Sequence, residues 1–127
     1  MSDFSIGDIA KQSGIPASTI RYYERIGLLP TAKRINGKRV YDETVLAQLS
    51  VIMLAKTMGF HIEEIQTLLH GFPATQPASE RWQALAPNKL EIIDQQIRQL
   101  ETMRYRLQQT LACDCHTLEQ CAQVNPR

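Results

Sequence analysis

The sequence predicts a mainly α-helical chain: a compact helical head carrying one β-hairpin, then a long helix towards the C-terminus. Three observations carry that prediction. Apolar residues recur with helical period in four early segments, with glycine stops at Gly14, Gly27, Gly59 and Gly71. A lone Asn36-Gly37 pair sits between two short basic stretches, the signature of a two-residue hairpin turn. Leu90, Ile93, Ile97, Leu100, Leu107 and Leu111 then fall at a/d spacing over residues 88–111, with Arg104 the exception. At 127 residues and 43% apolar content, the chain can build a core without disulfide staples.

Taken in order, Ser5 caps a first helix whose inner face is Ile6 and Ile9-Ala10, and Gly14 ends it. Ile15-Pro16 connects it to a second helix from about Ala17 to Ile26. Two short helices across a tight turn read as a helix-turn-helix. The hairpin flanks, Lys33–Ile35 and Lys38–Tyr41, form a projecting wing. Asp42 caps a third helix reaching about Met58, and a fourth runs from His61 to His70. Residues 72–78 read as a linker; a helix can resume at Ser79, with Pro87 expected to interrupt or kink it. The division is therefore 1–71 winged-helix head, 72–87 linker or hinge, 88–111 long helix and 112–127 cysteine-containing loop and tail. The long helix has one apolar stripe and no further element to cover it, so a coiled coil with a second copy is expected. Packing onto its own head is the other outcome.

Composition narrows the function. No apolar run approaches the ~20 residues of a membrane span. Met1-Ser2-Asp3 does not begin a secretory signal, so a cytoplasmic location without membrane association is expected. Net charge is only +1, but Lys33, Arg34, Lys38 and Arg39 lie within seven residues containing no acid. On a projecting ribbon, that cluster suits a phosphate backbone better than a merely solvated charge run. On the second helix Ser18, Thr19, Arg21 and Tyr22 offer hydroxyls and a guanidinium to phosphates and base edges. On the wing Arg34, Asn36, Lys38, Arg39 and Tyr41 extend the same surface. Tyr22, Tyr23 and Tyr41 also suit a partly buried place, and for Tyr23 that is the better reading.

All three cysteines, Cys113, Cys115 and Cys121, are near the C-terminus. An odd, clustered set argues against a disulfide framework and for metal binding or redox chemistry. Thiolates at this spacing suit a soft or borderline cation such as Zn²⁺, Cu⁺ or Hg²⁺, with His116 as a possible fourth ligand. An enzyme is disfavoured. His61, His70 and His116 share no ligand spacing, and C-x-C is not the C-x-x-C of thioredoxin-like folds. A metal-binding protein that never touches DNA would leave the basic head without a role.

The run FSIGDIAKQSGIPASTIRYYERIGL, the wing RINGKRVY, the helix pair around AKTMGF and the long helix together resemble the MerR family of regulators. The resemblance implies winged-helix homodimers joined by an antiparallel coiled coil and bound to a palindromic promoter element. Effector binding there distorts the DNA and realigns the promoter for RNA polymerase, which is deformation used as a switch. It carries the DNA-contacting role to Ser18, Thr19, Arg21, Tyr22, Arg34, Asn36, Arg39 and Tyr41. Lys38 departs from the tyrosine common in the family, and Pro16 from a common serine. The resemblance also places the effector site beyond the dimer helix, where metal-sensing members carry cysteines. The C-x-C-x₅-C spacing is similar to that of SoxR-type redox members, but Thr110 stands where those have a further cysteine. An iron–sulfur cluster, normally held by four thiolates, is therefore the second reading. Divalent-metal sensors of the family add a cysteine at the start of the dimer helix, where Ser79 stands. The copper type uses two cysteines with longer spacing, so neither metal subgroup is matched cleanly.

Overall fold

The computed structural model describes residues 3–124. Its order is α1 (Ile6–Ser13), α2 (Ala17–Arg25), β1 (Lys33–Ile35), β2 (Lys38–Val40), α3 (Glu43–Thr57), α4 (Ile62–His70), α5 (Ala78–Leu111) and α6 (Leu118–Val124). Two compact units share the chain, one ending at Leu85 and the other starting at Ala86.

Local chemistry explains the boundaries of the head. Ser5 Oγ accepts from the Asp8 N–H while Asp8 accepts from the Ser5 N–H, a reciprocal cap on α1. Gly14 ends α1 at φ 74°, a left-handed position that disfavours a side chain. Pro16 caps α2 without a side-chain bond, relying on its fixed φ. Asn36 and Gly37 both hold positive φ, 53° and 77°, as the hairpin turn requires. The strands pair antiparallel, Lys33 with Val40, Arg34 with Arg39 and Ile35 with Lys38. Asp42 caps α3 through the Thr44 N–H at 2.9 Å.

The core of the first unit draws on every helix of the head: Ile9, Ile15, Ile20, Tyr23, Leu28, Leu29, Tyr41, Val45, Leu49, Ile52, Ala55, Phe60 and Ile65. Leu49 is fully buried at its centre. Leu49→Ala leaves a cavity there and is expected to cost about 3 kcal/mol, read as a lower denaturation midpoint with an unchanged slope.

Two features differ from the sequence-based expectation. Pro87 does not interrupt the helix expected to resume at Ser79: α5 is one element from Ala78 to Leu111, so within the expected 72–87 linker only the residues before Ala78 are non-helical. Trp82 and Leu85 explain it. Both pack against the head core, Trp82 edge-on to Phe60 with centroids 5.9 Å apart. Burial of two large apolar side chains outweighs the helix-breaking tendency of Pro87. Pro87 lies inside α5 and denies the carbonyl four residues earlier, that of Gln83, its helical partner; Gln83 is exposed, so water can replace it. Secondly, α6 forms where only a loop and tail were expected. Thr117 Oγ1 accepts from the Gln120 N–H, and the Gln120 side chain takes the His116 N–H at 2.8 Å. That is a variant of the capping box.

In the second unit the apolar positions of α5 are open. Leu90, Leu100, Met103, Leu107 and Leu111 are each more than half exposed. Among the described residues no helix is long and apolar enough to cross a membrane.

Candidate nucleic-acid interface and metal centre

The candidate recognition surface is built on α2 and the wing. Ser18 and Arg21 are exposed, Thr19 is half-buried, and Ile20 and Tyr23 turn inward. Tyr22 is 42% exposed, with the Arg25 guanidinium 5.3 Å from its ring centroid. Ser18, Arg21, Glu24, Arg25, Thr31 and Arg39 line one open groove between α2 and the wing. Arg25 and Thr31 were not singled out from the sequence. Ser18, Arg21 and Arg25 follow i, i+3, i+7 spacing, so helical periodicity alone put Arg25 on that face.

Arg34, Asn36 and Lys38 are exposed at the wing, and Arg39 is half-buried. Arg34 and Arg39 stand directly opposite each other across the hairpin. Like charges at such a site destabilise the pair. A polyanion laid along the wing would relieve that repulsion.

Tyr41 corrects the expectation. It is 2% exposed, so its ring belongs to the core and does not face a ligand. The cause is a backbone bridge: Phe4 and Tyr41 exchange two N–H···O bonds of 2.8 Å, drawing the residue inward past the end of β2. Its hydroxyl donates to Glu24 Oε1. Glu24 also accepts from the Ala32 N–H at 3.4 Å and lies 3.9 Å from Arg39. Glu24 thereby joins α2 to both ends of the wing. Burial, and next the bonded Glu24 carboxylate, push the Tyr41 phenol above its ordinary pKa, against a smaller opposing effect of Arg39.

The three cysteines converge. Their sulfurs lie within 4.8 Å of one another, all half-buried. Cys113 and Cys115 are joined as a disulfide, and Cys121 is a free thiol with its Sγ 3.8 Å from that of Cys113. The Cys115 N–H donates to Cys113 Sγ at 3.2 Å. A bridge between residues two apart closes too short a loop to staple a fold. His116 is not part of the cluster: it is exposed, and the sulfurs meet without it. Once the pair is reduced, the donor set suits a thiophilic ion. Two thiolates about 2.3 Å from a shared tetrahedral ion stand roughly 3.8 Å apart, the separation found between Cys113 and Cys121.

A helix-turn-helix with a basic wing, carried on a head that continues into a long helix, defines a winged-helix DNA-binding protein. The sequence family described as MerR HTH family regulatory protein matches residues 4–71, and that described as MerR, DNA binding, matches residues 46–110. The chain belongs to the MerR family and is a DNA-binding transcriptional regulator, not an enzyme. It is 36% identical over 123 residues to the HTH-type transcriptional regulator HmrR of Rhizobium leguminosarum bv. viciae, covering 91% of this chain and 95% of the relative. Among solved structures it is similar to the transcription regulator PbrR691 of Ralstonia metallidurans CH34 in complex with lead(II), at TM-score 0.75 and 27% identity over 90% of both chains. It is also similar to HiNmlR, a MerR family regulator lacking the sensor domain and bound to promoter DNA, at TM-score 0.60 and 25% identity. That match covers 97% of this chain and 90% of the other.

Proposed function

We propose that the chain is a metal-responsive regulator, homodimeric through α5, that binds a palindromic promoter element and distorts it when Cys113, Cys115 and Cys121 take up a thiophilic ion. The observation that carries this reading is the convergence of three sulfurs just beyond the long helix. The lead(II) complex of PbrR691 supports a metal as effector. The donor set favours Zn²⁺, Cu⁺ or Hg²⁺ over oxygen-seeking ions. The exposed apolar stripe of α5 supports pairing with a second copy as an antiparallel coiled coil. Head contacts fall to Ser18, Thr19, Arg21 and Tyr22 on the recognition helix and to Arg34, Asn36, Lys38 and Arg39 on the wing, with Arg25 and Thr31 added from the groove. RNA polymerase at the same promoter is the downstream partner, and the cytoplasm is the setting.

The Cys113–Cys115 bridge favours a second reading, in which the thiols respond to oxidants directly. Metal analysis of anaerobically purified, reduced protein separates the two. Bound metal at a fixed ratio to chain supports the first reading; metal-free protein whose DNA response follows oxidation supports the second.

The DNA assignment is tested by Arg21→Ala. Promoter affinity is expected to fall about 10- to 100-fold, the range for losing one bidentate arginine contact. Metal stoichiometry should stay at the parent value. If promoter affinity is unchanged, the groove is not the interface.

A further inference from the structure

We propose that Arg81 is the positioning residue through which the cysteine end of α5 acts on the DNA-reading head; this rests on the metal-responsive reading above. Arg81 stands in the first turn of α5. Its Nε donates to the Gln76 carbonyl at 3.1 Å, and its Nη2 to that of Pro73 at 3.1 Å. Its Nη1 donates to the carbonyls of Leu68 and Leu69 at 3.1 and 3.2 Å. The guanidinium carbon lies 5.9 Å from the centroid of the Phe72 ring.

These acceptors belong to the last turn of α4 and to the loop that follows it. Carbonyls in a final helical turn lack intrahelical partners and carry the negative end of the helix dipole. One planar cation answers two of them and gathers two loop carbonyls as well. The start of α5 is thereby registered against the end of α4 by a single side chain.

That registration matters because of what α5 connects. It is one helix from Ala78 to Leu111, and Cys113 follows two residues after its end. The proposed route for a change at the cysteines is along this one helix to its first turn. At that turn the packing of Trp82 and Leu85 is apolar and non-directional. Hydrogen bonds from a rigid fork are directional, so Arg81 must move with its acceptors or exchange them. A side chain that must follow or exchange directional partners when its helix moves can couple two sites. Lysine keeps the charge but lacks the fork that serves four acceptors.

The test uses the full-length reduced chain, its own promoter fragment carrying a fluorescent adenine analogue at the central step, and one equivalent of Hg²⁺ per chain. Promoter affinity, thermal midpoint, bound Hg²⁺ and the Hg²⁺-induced fluorescence change are measured for the parent, Arg81→Lys and Arg81→Ala. For Arg81→Lys the expected result is parent-like affinity and Hg²⁺ stoichiometry with a fluorescence change at least about fivefold smaller, within the range of coupling mutations. Arg81→Ala should show the same loss if it remains folded. A parent-like change in Arg81→Lys overturns the role of Arg81 alone. Joint loss of affinity and response also overturns it, by making Arg81 simply part of the head's fold. A parent chain that takes up Hg²⁺ on the promoter without any change overturns the metal-responsive reading and this inference together.

Discussion

Cys113→Ser is expected to weaken binding of a thiophilic ion by at least about 100-fold, because even outer-shell changes at metal sites cost ~10–100-fold and this one removes a ligand. Cys113 is the shared neighbour in the cluster: it is bonded to Cys115, lies 3.8 Å from Cys121, and receives the Cys115 N–H. Serine keeps the size but offers a hard, poorly acidic oxygen. Promoter affinity without metal should stay within about twofold, since no groove residue changes. Competition titration against a colorimetric chelator under reducing conditions measures the first quantity, and fluorescence anisotropy the second. If the serine chain retains metal and response, the cysteines are not the sensor. The parent's affinity should also fall as pH is lowered, because each thiol must release its proton to bind. It should fall again on oxidation, when the Cys113–Cys115 bridge occupies two of the three donors.

Glu24→Ala is the second large effect. The Glu24 side chain is only 8% exposed and accepts from the Tyr41 hydroxyl and the Ala32 N–H. Its removal strands both donors in a part-buried site and is expected to cost about 3 kcal/mol. DNA binding should weaken more than stability alone requires, because the wing loses its tie to α2. Chemical denaturation and promoter anisotropy on the same preparation separate these losses. Tyr41→Phe gives the companion measurement in pH. The Tyr41 phenol is raised above its ordinary value, so its contribution is fully present below pH ~10 and is lost as pH rises through the raised value. The parent should therefore lose stability steeply on the alkaline side, and Tyr41→Phe should lose less. Parallel curves would show that Tyr41 titrates no differently when folded.

The head was legible because its punctuation is chemical. Ser5 with Asp8, Gly14, Asn36-Gly37 and Asp42 each solve a backbone problem that few other residues solve. Tyr41 was misplaced because its burial depends on Phe4 running beside it, a pairing across 37 positions that no local pattern announces. Whether α5 would run through Pro87 was left open by the sequence for a similar reason. Pro87 is a visible local penalty, whereas the compensating burial of Trp82 and Leu85 against the head is visible only in three dimensions. The α6 cap, by contrast, was readable in Thr117-x-x-Gln120 and was overlooked. Clustering of the cysteines in sequence foretold their meeting in space. His116 illustrates the reverse: although it follows Cys115 directly, its backbone N–H donates to Gln120 and it stays outside the sulfur cluster.

Four of the six strand residues in the wing are cations, so the free ribbon repels itself in dilute buffer. Added electrolyte should firm the unbound ribbon even as it competes for the duplex. Ionic strength then acts in opposite directions on the two halves of one equilibrium. The salt slope of association should accordingly understate the number of phosphates the protein touches.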